Sequence, residues 1–528
     1  MIERVTAPSG APLRFSILLT ADTASPRLAA GTLRALASQA YPDWEVLLPA
    51  GLSVPDDVLR ALADRVHRID EGGASAKAGE WLTSATAAAS GDWLVPLQAG
   101  DQLAANALAQ LAHTAQIGSP SVLYGDCDVV GPLGVRSRPW LKPAWNTEQF
   151  LSQDYISQAC AIAMPVARAT AAAADAHPGC AAYAMLLEAV LHHDVVPHHL
   201  PYILVHLPKH RHEHAPEARE RAVAGALGER AARIAPGPFG SLQVTWPLPD
   251  PAPLVSILIP TRDRAAILRT CIDSLLALTR YPAFEVVVID NDSSEPEALD
   301  YLAQLAAHPA VRVVRSPGLF NFSAINNFAV AQACGDYLCL LNNDTEVVDG
   351  EWLAILMAQA TRTDVGAVGP MLLYPDGTIQ HAGVVIGMGN AAGHAHRHQR
   401  TGSPGYFAQA HIAREVSAVT AACLVVARHK YKAVGGLDAA NLAVAYNDVD
   451  LCLKLRAAGW RNIYVPHTRL IHHESKSRPS DLSSAQIDRY MAELGVLQVR
   501  WGTDKVVDPL HHPLLDRSSE TYQINLQA

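Results

Sequence analysis

Polar side chains that can bind metals or phosphates follow three apolar stretches in the second half of the chain. They are Asp290 after VVVI, Asn342, Asn343 and Asp344 after LCLL, and His472 after RLI. Carboxylate and amide oxygens suit Mg²⁺ or Mn²⁺, and a histidine nitrogen can complete such a site. A divalent cation held there would stabilise negative charge that develops on phosphate oxygens. Taken one at a time, the same residues also fit turns, helix caps and structural hydrogen bonds.

A further acidic residue, Asp448, lies near the start of a predicted helix. In AVAYNDVDLCLKLRAAGW the residue spacing fits a helix that stops at Gly459, so Asp448 would lie at its N-terminus. A carboxylate in an active site can accept the proton of an attacking hydroxyl group. A helix-capping role explains the same residue without any catalysis.

Strands and helices alternate around these residues. VSILIP, FEVVVID, VRVVRS and DYLCLLNND have the composition of buried strands, and helical sequences separate them. This alternation predicts a parallel sheet with helices on both faces. Ligands of such sheets bind beyond the C-terminal ends of the strands, where Asp290 and Asn342–Asp344 lie. Thr261, directly after the first strand, belongs to the same edge.

The chain contains this pattern twice. FSILLTA at 15–21 and YPDWEVLL at 41–48 recur 240 residues later as VSILIPT and YPAFEVVV, and SGDWLVPL at 90–97 recurs 244 residues later as CGDYLCLL. A period of this length indicates a duplicated domain. Six prolines from Pro236 to Pro253 predict an extended linker between the copies. We therefore expect a first domain at 1–215, a helix and Pro-rich linker at 216–253, and a second domain with a helical C-terminal tail at 254–528.

Composition limits the classes of function. The 528 residues are 49% hydrophobic and 17% charged, which is typical of globular domains and excludes a disordered chain. A net charge of −10 argues against a general nucleic-acid binder. No apolar run reaches the roughly 18–20 residues of a membrane span, and the first residues lack the apolar core of a signal peptide. Eight scattered cysteines without a CxxC pair favour reduced thiols in the cytoplasm.

The second copy resembles a known family. Residues from about 254 to 500 are similar to family 2 glycosyltransferases with the GT-A fold, most of all to rhamnosyltransferase-like enzymes of bacterial surface polysaccharides. The motifs that carry the resemblance are VSILIPTRDR, VVVIDNDS, INNFAVAQACGDYLCLLNND, VSAVTAACLVV, GGLDAANLAVAYNDVDLCLKLRAAGWRNIYVP and IHHESKSR. The resemblance implies an α/β protein of two tandem GT-A-like domains, each a mostly parallel sheet flanked by helices.

The resemblance also assigns roles to individual residues. LLNND lies where the family has its D-x-D motif, so Asp344 would bind the metal and Asn342 would replace the first acid. His472 would be the C-terminal ligand of the metal or of the diphosphate, and the metal would be Mn²⁺ or Mg²⁺. Asp448 would be the catalytic base, with Asn447 in place of the usual glutamate. The residues expected to bind the nucleotide-sugar are Thr261, Asp290, Asn327, Asn342 and Asn343.

The first copy departs from these motifs. Alignment of GDWLVPLQAGD with GDYLCLLNNDT puts Gly100 at the position of Asp344, so that Asp101 could serve only after a local shift. Met185 falls opposite Asp448 in a second alignment. We therefore expect a degenerate, non-catalytic domain kept for structure, assembly or acceptor binding.

These roles predict an inverting, metal-dependent glycosyltransferase. The donor would be a UDP- or dTDP-sugar, and the acceptor would be a hydroxyl group of a glycan or of a lipid-linked polysaccharide precursor. The expected location is the cytoplasm. Peripheral association with the inner face of the cytoplasmic membrane and oligomer formation are both left open, and no nucleic-acid partner is expected.

Two other classes of protein stay open. The asparagines at 342 and 447 give some support to a non-catalytic glycan-binding or scaffold protein of polysaccharide assembly. Asp344, Asp448 and His472 together argue against it. A nucleotidyltransferase would share nucleotide binding at the strand ends, but PTRDRAAI lacks the glycines of its usual basic loop.

Three histidines alternate at 394, 396 and 398. Histidines with this spacing on a strand can bind zinc. A polar loop over the active site is the interpretation we prefer.

Overall fold

The computed structural model describes residues 12–20, 26–69, 78–131, 133–209, 215–231, 233–473 and 484–525. The chain is divided into two compact units. The first comprises 1–146 and 153–236, and the second comprises 237–528 together with the short segment 147–152. Six residues that belong to the first copy in sequence therefore belong to the second unit in structure.

Strands and helices alternate along the described residues. In chain order the strands are β1 Phe15–Thr20, β2 Trp44–Pro49, β3 Val66–Ile69, β4 Trp93–Gln98, β5 Gln102–Leu103, β6 Val122–Val130, β7 Arg136–Trp140, β8 Cys160–Ala163, β9 His198–Pro208, β10 Arg233–Pro236, β11 Leu242–Thr245, β12 Val255–Thr261, β13 Phe284–Asp290, β14 Val311–Arg315, β15 Tyr337–Leu341, β16 Thr345–Val347, β17 Val365–Leu373, β18 Ile379–His381, β19 Val384–Ile386, β20 Ala392–His394, β21 Arg414–Val416, β22 Cys423–Ala427 and β23 Arg461–His472. The α-helices are α1 Pro26–Ala37, α2 Asp56–Leu62, α3 Ala78–Ala88, α4 Ala107–Ala115, α5 Thr147–Ser152, α6 Met164–Ala176, α7 Ala181–His192, α8 Pro216–Leu227, α9 Ala265–Leu278, α10 Pro296–Ala306, α11 Phe322–Gln332, α12 Trp352–Ala360, α13 Arg428–Ala433, α14 Asn447–Ala457 and α15 Ser484–Trp501. None of these described helices has both the length and the apolar character that a membrane crossing requires.

The main sheets of the two units have the same topology. Their strand orders are β3-β2-β1-β4-β8-β6-β9-β5 and β14-β13-β12-β15-β22-β17-β23-β16. The registers correspond as well, since Phe15 lies opposite Trp44 in the first unit and Val255 lies opposite Phe284 in the second. The prediction of two tandem α/β domains of this fold class is confirmed.

The first four strands in each strand order pair in parallel, and each sheet is mixed beyond them. Strands β12 to β15 pair in parallel in the second unit, whereas β22 runs antiparallel to β15 and β17. Apolar side chains alternate between two cores, because successive residues of a strand point to opposite faces. Ile257 and Ile259 pack in one core with Leu268 of α9, and Leu258 packs in the other with Ile325 of α11. This two-sided burial fixes the strand ends that position the site.

Candidate active site

Two strands bring Asp344 next to His472. Strand β16 begins directly after Asp344 and pairs antiparallel with the end of β23, so that Thr345 lies opposite His472. Oδ1 of Asp344 lies 3.0 Å from Nε2 of His472, and both side chains are buried. The backbone nitrogen of His473 also donates to the carbonyl oxygen of Asp344 over 2.9 Å. The two residues predicted to bind the metal are therefore adjacent.

The hydrogen bonds of His472 leave a position that a cation fits. Nδ1 of His472 donates to Oε1 of Gln380 over 2.8 Å, because an amide oxygen can only accept. Nε2 of the ring lies 3.0 Å from Oδ1 of Asp344 and 3.2 Å from Nδ2 of Asn342. A contact of 3.0 Å between Nε2 and a carboxylate oxygen needs a proton or a cation beside the two atoms, because both are otherwise acceptors. A carboxylate with an imidazole is a donor pair that Mn²⁺ accepts.

The candidates for nucleotide binding lie at the ends of β12, β13 and β15. Parallel register places Thr261 beside Asp290. Nδ2 of Asn343 donates to Oγ1 of Thr261 over 3.0 Å. Oδ1 of Asp290 accepts the backbone nitrogen of Ser293 at 2.9 Å, and Nε of Arg315 lies 3.8 Å from the other carboxylate oxygen. These residues form one polar edge that continues into the metal-binding candidates.

Asp448 lies in the first turn of α14 and contacts the same strand-end region. Its Oδ2 accepts the backbone nitrogen of Ala421 at 2.9 Å, and its Oδ1 accepts that of Val449 at 2.8 Å. The carbonyl oxygen of Ala422 accepts the backbone nitrogen of Asn342 at 3.1 Å. The pair Ala421–Ala422 therefore joins the predicted base to the strand end that carries Asp344.

Asn327 and Asn447 both hold backbone segments. Oδ1 of Asn327 accepts Oη of Tyr431 at 2.6 Å and the backbone nitrogen of Leu437 at 3.1 Å, and its Nδ2 donates to the Leu437 carbonyl over 2.8 Å. Asn447 is buried and donates to the carbonyl oxygen of Val444 over 3.0 Å. The structure thus uses the amide of Asn327 to anchor a loop, and a contact with a nucleotide-sugar stays a prediction. Residues 474–478 of the IHHESKSR motif lie outside the described residues.

Helix α15 holds the segment before Asp448, a contact that sequence analysis did not predict. The two carboxylate oxygens of Glu493 accept the backbone nitrogens of Val444 at 3.0 Å and Ala445 at 2.7 Å. Glu493 is buried. Because 49 residues separate Glu493 from Val444, no local sequence pattern links them.

Asp450, the last acid of YNDVD, anchors the same helix. It is fully buried, and its Oδ1 accepts Nη1 of Arg500 at 2.8 Å and Nε1 of Trp501 at 2.9 Å. Arg500 also donates to Asp438 over 2.7 Å. Burial by itself raises the pKa of Asp438, but hydrogen bonds from Arg500 and Asn441 outweigh this and lower it to about 2. The position of Asp450 inside a quoted motif is the one sequence signal for this anchor.

The first unit keeps an acidic residue at the position of Asp344. Strand β5 pairs with β9 as β16 pairs with β23, and the residue after Asp101 lies opposite His206 as the residue after Asp344 lies opposite His472. The prediction that Gly100 takes this position is therefore wrong by one residue. Gly100 has a φ of +105° and is the extra residue of the turn, a backbone conformation that glycine tolerates.

The retained residues of the first unit have different partners. Oδ2 of Asp101 accepts the backbone nitrogen of Gln98 at 3.0 Å. His206 uses Nδ1 to donate to Oδ1 of Asp128 over 2.6 Å, and Arg136 donates to the other oxygen of Asp128 over 2.6 Å. The strand frame is thus conserved between the units, but the hydrogen bonds of the aspartate and the histidine are not.

The fold and this strand-end site define an α/β domain of the GT-A class. Residues 256–418 match the family model described as Glycosyl transferase family 2. The second unit therefore contains a region that matches glycosyltransferase family 2, and the predicted family resemblance is confirmed.

Three relatives are similar in sequence. The chain is 35% identical over 535 residues to the uncharacterised protein y4gI of Sinorhizobium fredii, which covers 97% of the chain and 58% of that protein. It is 35% identical over 505 residues to the O-antigen biosynthesis protein RfbC of Myxococcus xanthus, which covers 91% of the chain and 39% of that protein. It is 26% identical over 263 residues to the N-acetylglucosaminyl-diphospho-decaprenol L-rhamnosyltransferase of Mycobacterium tuberculosis, which covers 44% of the chain and 80% of that protein. The chain therefore spans about half the length of the first two relatives.

Proposed function

We propose that this chain is an inverting, metal-dependent glycosyltransferase. It transfers a sugar from a UDP- or dTDP-sugar to a hydroxyl group of a glycan or of a lipid-linked polysaccharide precursor. The match of residues 256–418 to the family model Glycosyl transferase family 2 supports the reaction class. The observation that carries the proposal is the pair Asp344 and His472, with Oδ1 and Nε2 3.0 Å apart where β16 pairs with the end of β23.

Donor binding uses the polar edge formed by the strand ends. The carboxylate of Asp290 accepts hydrogen bonds from the ribose or the base, as acidic residues at strand ends of nucleotide-binding sheets do. Thr261 and Asn343, which are hydrogen-bonded to each other, line the same edge. Asn342 contacts the nucleotide in place of the first acid of D-x-D. Asn327, which anchors the loop at Leu437, is expected to face the nucleotide-sugar from that position.

Asp344 and His472 would hold Mn²⁺ or Mg²⁺. When bound, the cation stabilises the charge of the departing nucleoside diphosphate. The pairing of β16 with β23 holds both side chains in position before the donor binds. Such preorganisation reduces the rearrangement needed when charge develops.

Asp448 acts as the general base. It takes the proton of the acceptor hydroxyl group while the hydroxyl oxygen attacks the anomeric carbon, and the bond from that carbon to the diphosphate oxygen breaks. Attack from the face opposite the diphosphate inverts the configuration. The backbone nitrogen of Ala421 orients the carboxylate for this role. No covalent enzyme intermediate is required, in contrast to retaining glycosidases.

The names of the relatives support an acceptor from surface-polysaccharide assembly. One is named for O-antigen biosynthesis and another for rhamnosyl transfer to a decaprenol diphosphate. A lipid-linked acceptor would bring the chain to the inner face of the cytoplasmic membrane as a peripheral protein. The first unit, in which Asp101 and His206 have other partners, has a structural, assembly or acceptor-binding role.

Turnover by the purified chain tests the proposal. The chain is incubated with Mn²⁺, UDP- or dTDP-sugars and lipid-linked or free glycan acceptors, and products are identified by mass spectrometry. Asp344→Ala should abolish transfer, whereas Asp336→Ala, at an exposed aspartate before β15, should not. Near-normal activity of Asp344→Ala, or activity that survives complete chelation by EDTA, contradicts the metal-dependent mechanism.

A further inference from the structure

Gln380 occupies an irregular position in strand β18. Leu372 of β17 lies opposite His381, and Leu373 lies opposite Ile379. No residue of β17 therefore lies opposite Gln380. This arrangement is a β-bulge, and bulges beside active sites re-aim a side chain out of the regular alternation. The side chain of Gln380 is buried, so its polar atoms must find partners inside the protein.

The partner is His472. Oε1 of Gln380 accepts Nδ1 of His472 at 2.8 Å, which fixes the proton of the ring on Nδ1. The other nitrogen, Nε2, is thereby held facing the carboxylate of Asp344. Without this acceptor the ring could carry its proton on Nε2 and donate to Asp344, and that proton would occupy the place of a cation.

The backbone around Gln380 is held from a second side. The nitrogen of Ile379 donates to the carbonyl oxygen of Gln399 over 2.8 Å, and the nitrogen of His398 donates to the carbonyl oxygen of Ile379 over 2.7 Å. Strand β18 is thus bonded both to β17 and to the segment at 398–399. Supporting residues on rigid elements are what keeps a ligand in productive geometry.

We propose that Gln380 is the positioning residue of the cation site, where it sets the protonated nitrogen and the orientation of His472. The inference rests on the proposed function, since His472 is a cation ligand only there. A metal-binding histidine usually donates the N–H of its other ring nitrogen to a neighbouring acceptor. Mutation of that acceptor typically lowers metal affinity about 10–100-fold. Gln380 contacts neither donor nor acceptor in this proposal.

Titration with Mn²⁺ alone tests the inference. Electron paramagnetic resonance measures the free Mn²⁺ in solutions of the full-length chain. This measurement needs no substrate and no turnover. Gln380→Leu removes the acceptor at nearly constant size and should weaken Mn²⁺ binding about 10–100-fold. Gln380→Glu keeps an acceptor and should bind Mn²⁺ at least as tightly as wild type. Gln409→Leu, at another buried glutamine, is the matched control and should leave the Kd unchanged.

The outcomes separate this inference from the proposed function. If wild type does not bind Mn²⁺, or Asp344→Ala binds as well as wild type, the proposed cation site itself is wrong. If wild type binds and Asp344→Ala does not, an unchanged Kd in Gln380→Leu overturns the role of Gln380 alone. Gln380→Asn, which is too short to reach His472, replaces the leucine variant if that variant fails to fold, and the same weakening is expected.

Discussion

The backbone nitrogen of Ala421 donates a hydrogen bond to Oδ2 of Asp448 over 2.9 Å. The carbonyl of the adjoining Ala422 accepts the backbone nitrogen of Asn342 at 3.1 Å. Since Asn342 begins the segment that ends at Asp344, two consecutive residues fix the proposed base relative to the proposed cation site. Backbone hydrogen bonds therefore set the separation between Asp448 and the segment that carries Asp344.

Asp448→Asn should lower kcat without weakening donor binding. Asparagine keeps the shape, and its oxygen can still accept from Ala421 at the expense of the bond from Val449, but its amide cannot take a proton. General-base catalysis contributes about 10²–10⁴-fold, so kcat should fall by about that factor while the KM for the donor stays close to wild type. Steady-state kinetics with varied donor concentration measures both values.

A matched substitution separates catalysis from helix capping. Asp56 begins α2 of the first unit, and Asp56→Asn makes the same chemical change at another helix start. The single oxygen of asparagine can accept from only one of the backbone nitrogens of Ala421 and Val449, so Asp448→Asn should fold with a small loss of stability, whereas Asp56→Asn should be as stable as wild type. Intact turnover in Asp448→Asn would remove Asp448 as the base.

Asp101→Ala tests whether the first unit has a working site. Asp101 takes the strand position of Asp344, but its carboxylate accepts the backbone nitrogen of Gln98. We expect the variant to lose stability and to keep its specific activity, in contrast to Asp344→Ala. Comparable losses of activity in the two variants would show two catalytic units.

The strand ends of the site could be predicted because their residues follow runs that are buried on both faces. Thr261, Asp290 and Asp344 all lie at one edge of the sheet, as parallel strands with short apolar sequences require. The error at Gly100 has a local cause. One extra residue in the turn after β4 moves β5 one position along the sequence without changing the motif of β4. Only the pairing of β5 with β9 shows this shift.

The histidines after residue 393 show why buried polar residues escape prediction. The alternation HAHRH suggested a polar loop, yet His396 is fully buried and its ring stacks on Tyr522 with centroids 4.3 Å apart. Tyr522 lies more than a hundred residues later in the chain, so no local sequence pattern predicts this contact. The same is true of Gln380, whose role depends on a one-residue bulge.

Glu493→Gln should slow turnover by loosening the loop before Asp448. The glutamine oxygen can accept a hydrogen bond from the backbone nitrogen of either Val444 or Ala445, but not from both. The N–H₂ group of the glutamine would face the other nitrogen. A buried donor without a partner costs about 1–3 kcal/mol, and we expect the loss in kcat with little change in donor KM. Asp488→Asn, at an exposed acid of the same helix, is the control and should behave as wild type. Unchanged kinetics in Glu493→Gln would show that the loop holds its position without α15.

Glu148→Ala should destabilise the second unit. Segment 147–152 belongs to this unit, and Oε1 of Glu148 lies 2.7 Å from Arg362 and 3.2 Å from Arg461. Burial by itself raises the pKa of the Glu148 carboxyl, but the two arginines outweigh it and lower the pKa. Removing one partner of a buried ion pair typically costs about 3–5 kcal/mol.

Denaturant unfolding followed by fluorescence measures the effect of Glu148→Ala. Glu217→Ala, at an exposed glutamate of α8, is the control. A chain truncated to residues 237–528 also lacks Glu148 and should share the loss of stability. A truncated chain as stable as the second unit in the full protein would contradict this role of the segment.

His511→Phe should make the second unit less sensitive to acid. Burial lowers the pKa of the His511 ring to about 4, and its contact with Tyr522 is an edge-on packing of rings with centroids 5.0 Å apart. Because the pKa is lower in the folded state than the value of about 6.5 in the unfolded chain, the unfolded state binds more protons between these limits. The stabilisation by the neutral ring is therefore complete above about pH 6.5 and is lost as the pH falls towards 4, by up to about 3 kcal/mol. Phenylalanine keeps the ring packing and has no proton to gain, so unfolding free energies at pH 7 and pH 5 should differ less in the variant than in wild type. His429→Phe, at an exposed position, is the control that should follow wild type, and equal pH dependence in all three proteins would exclude His511 as a source of acid lability.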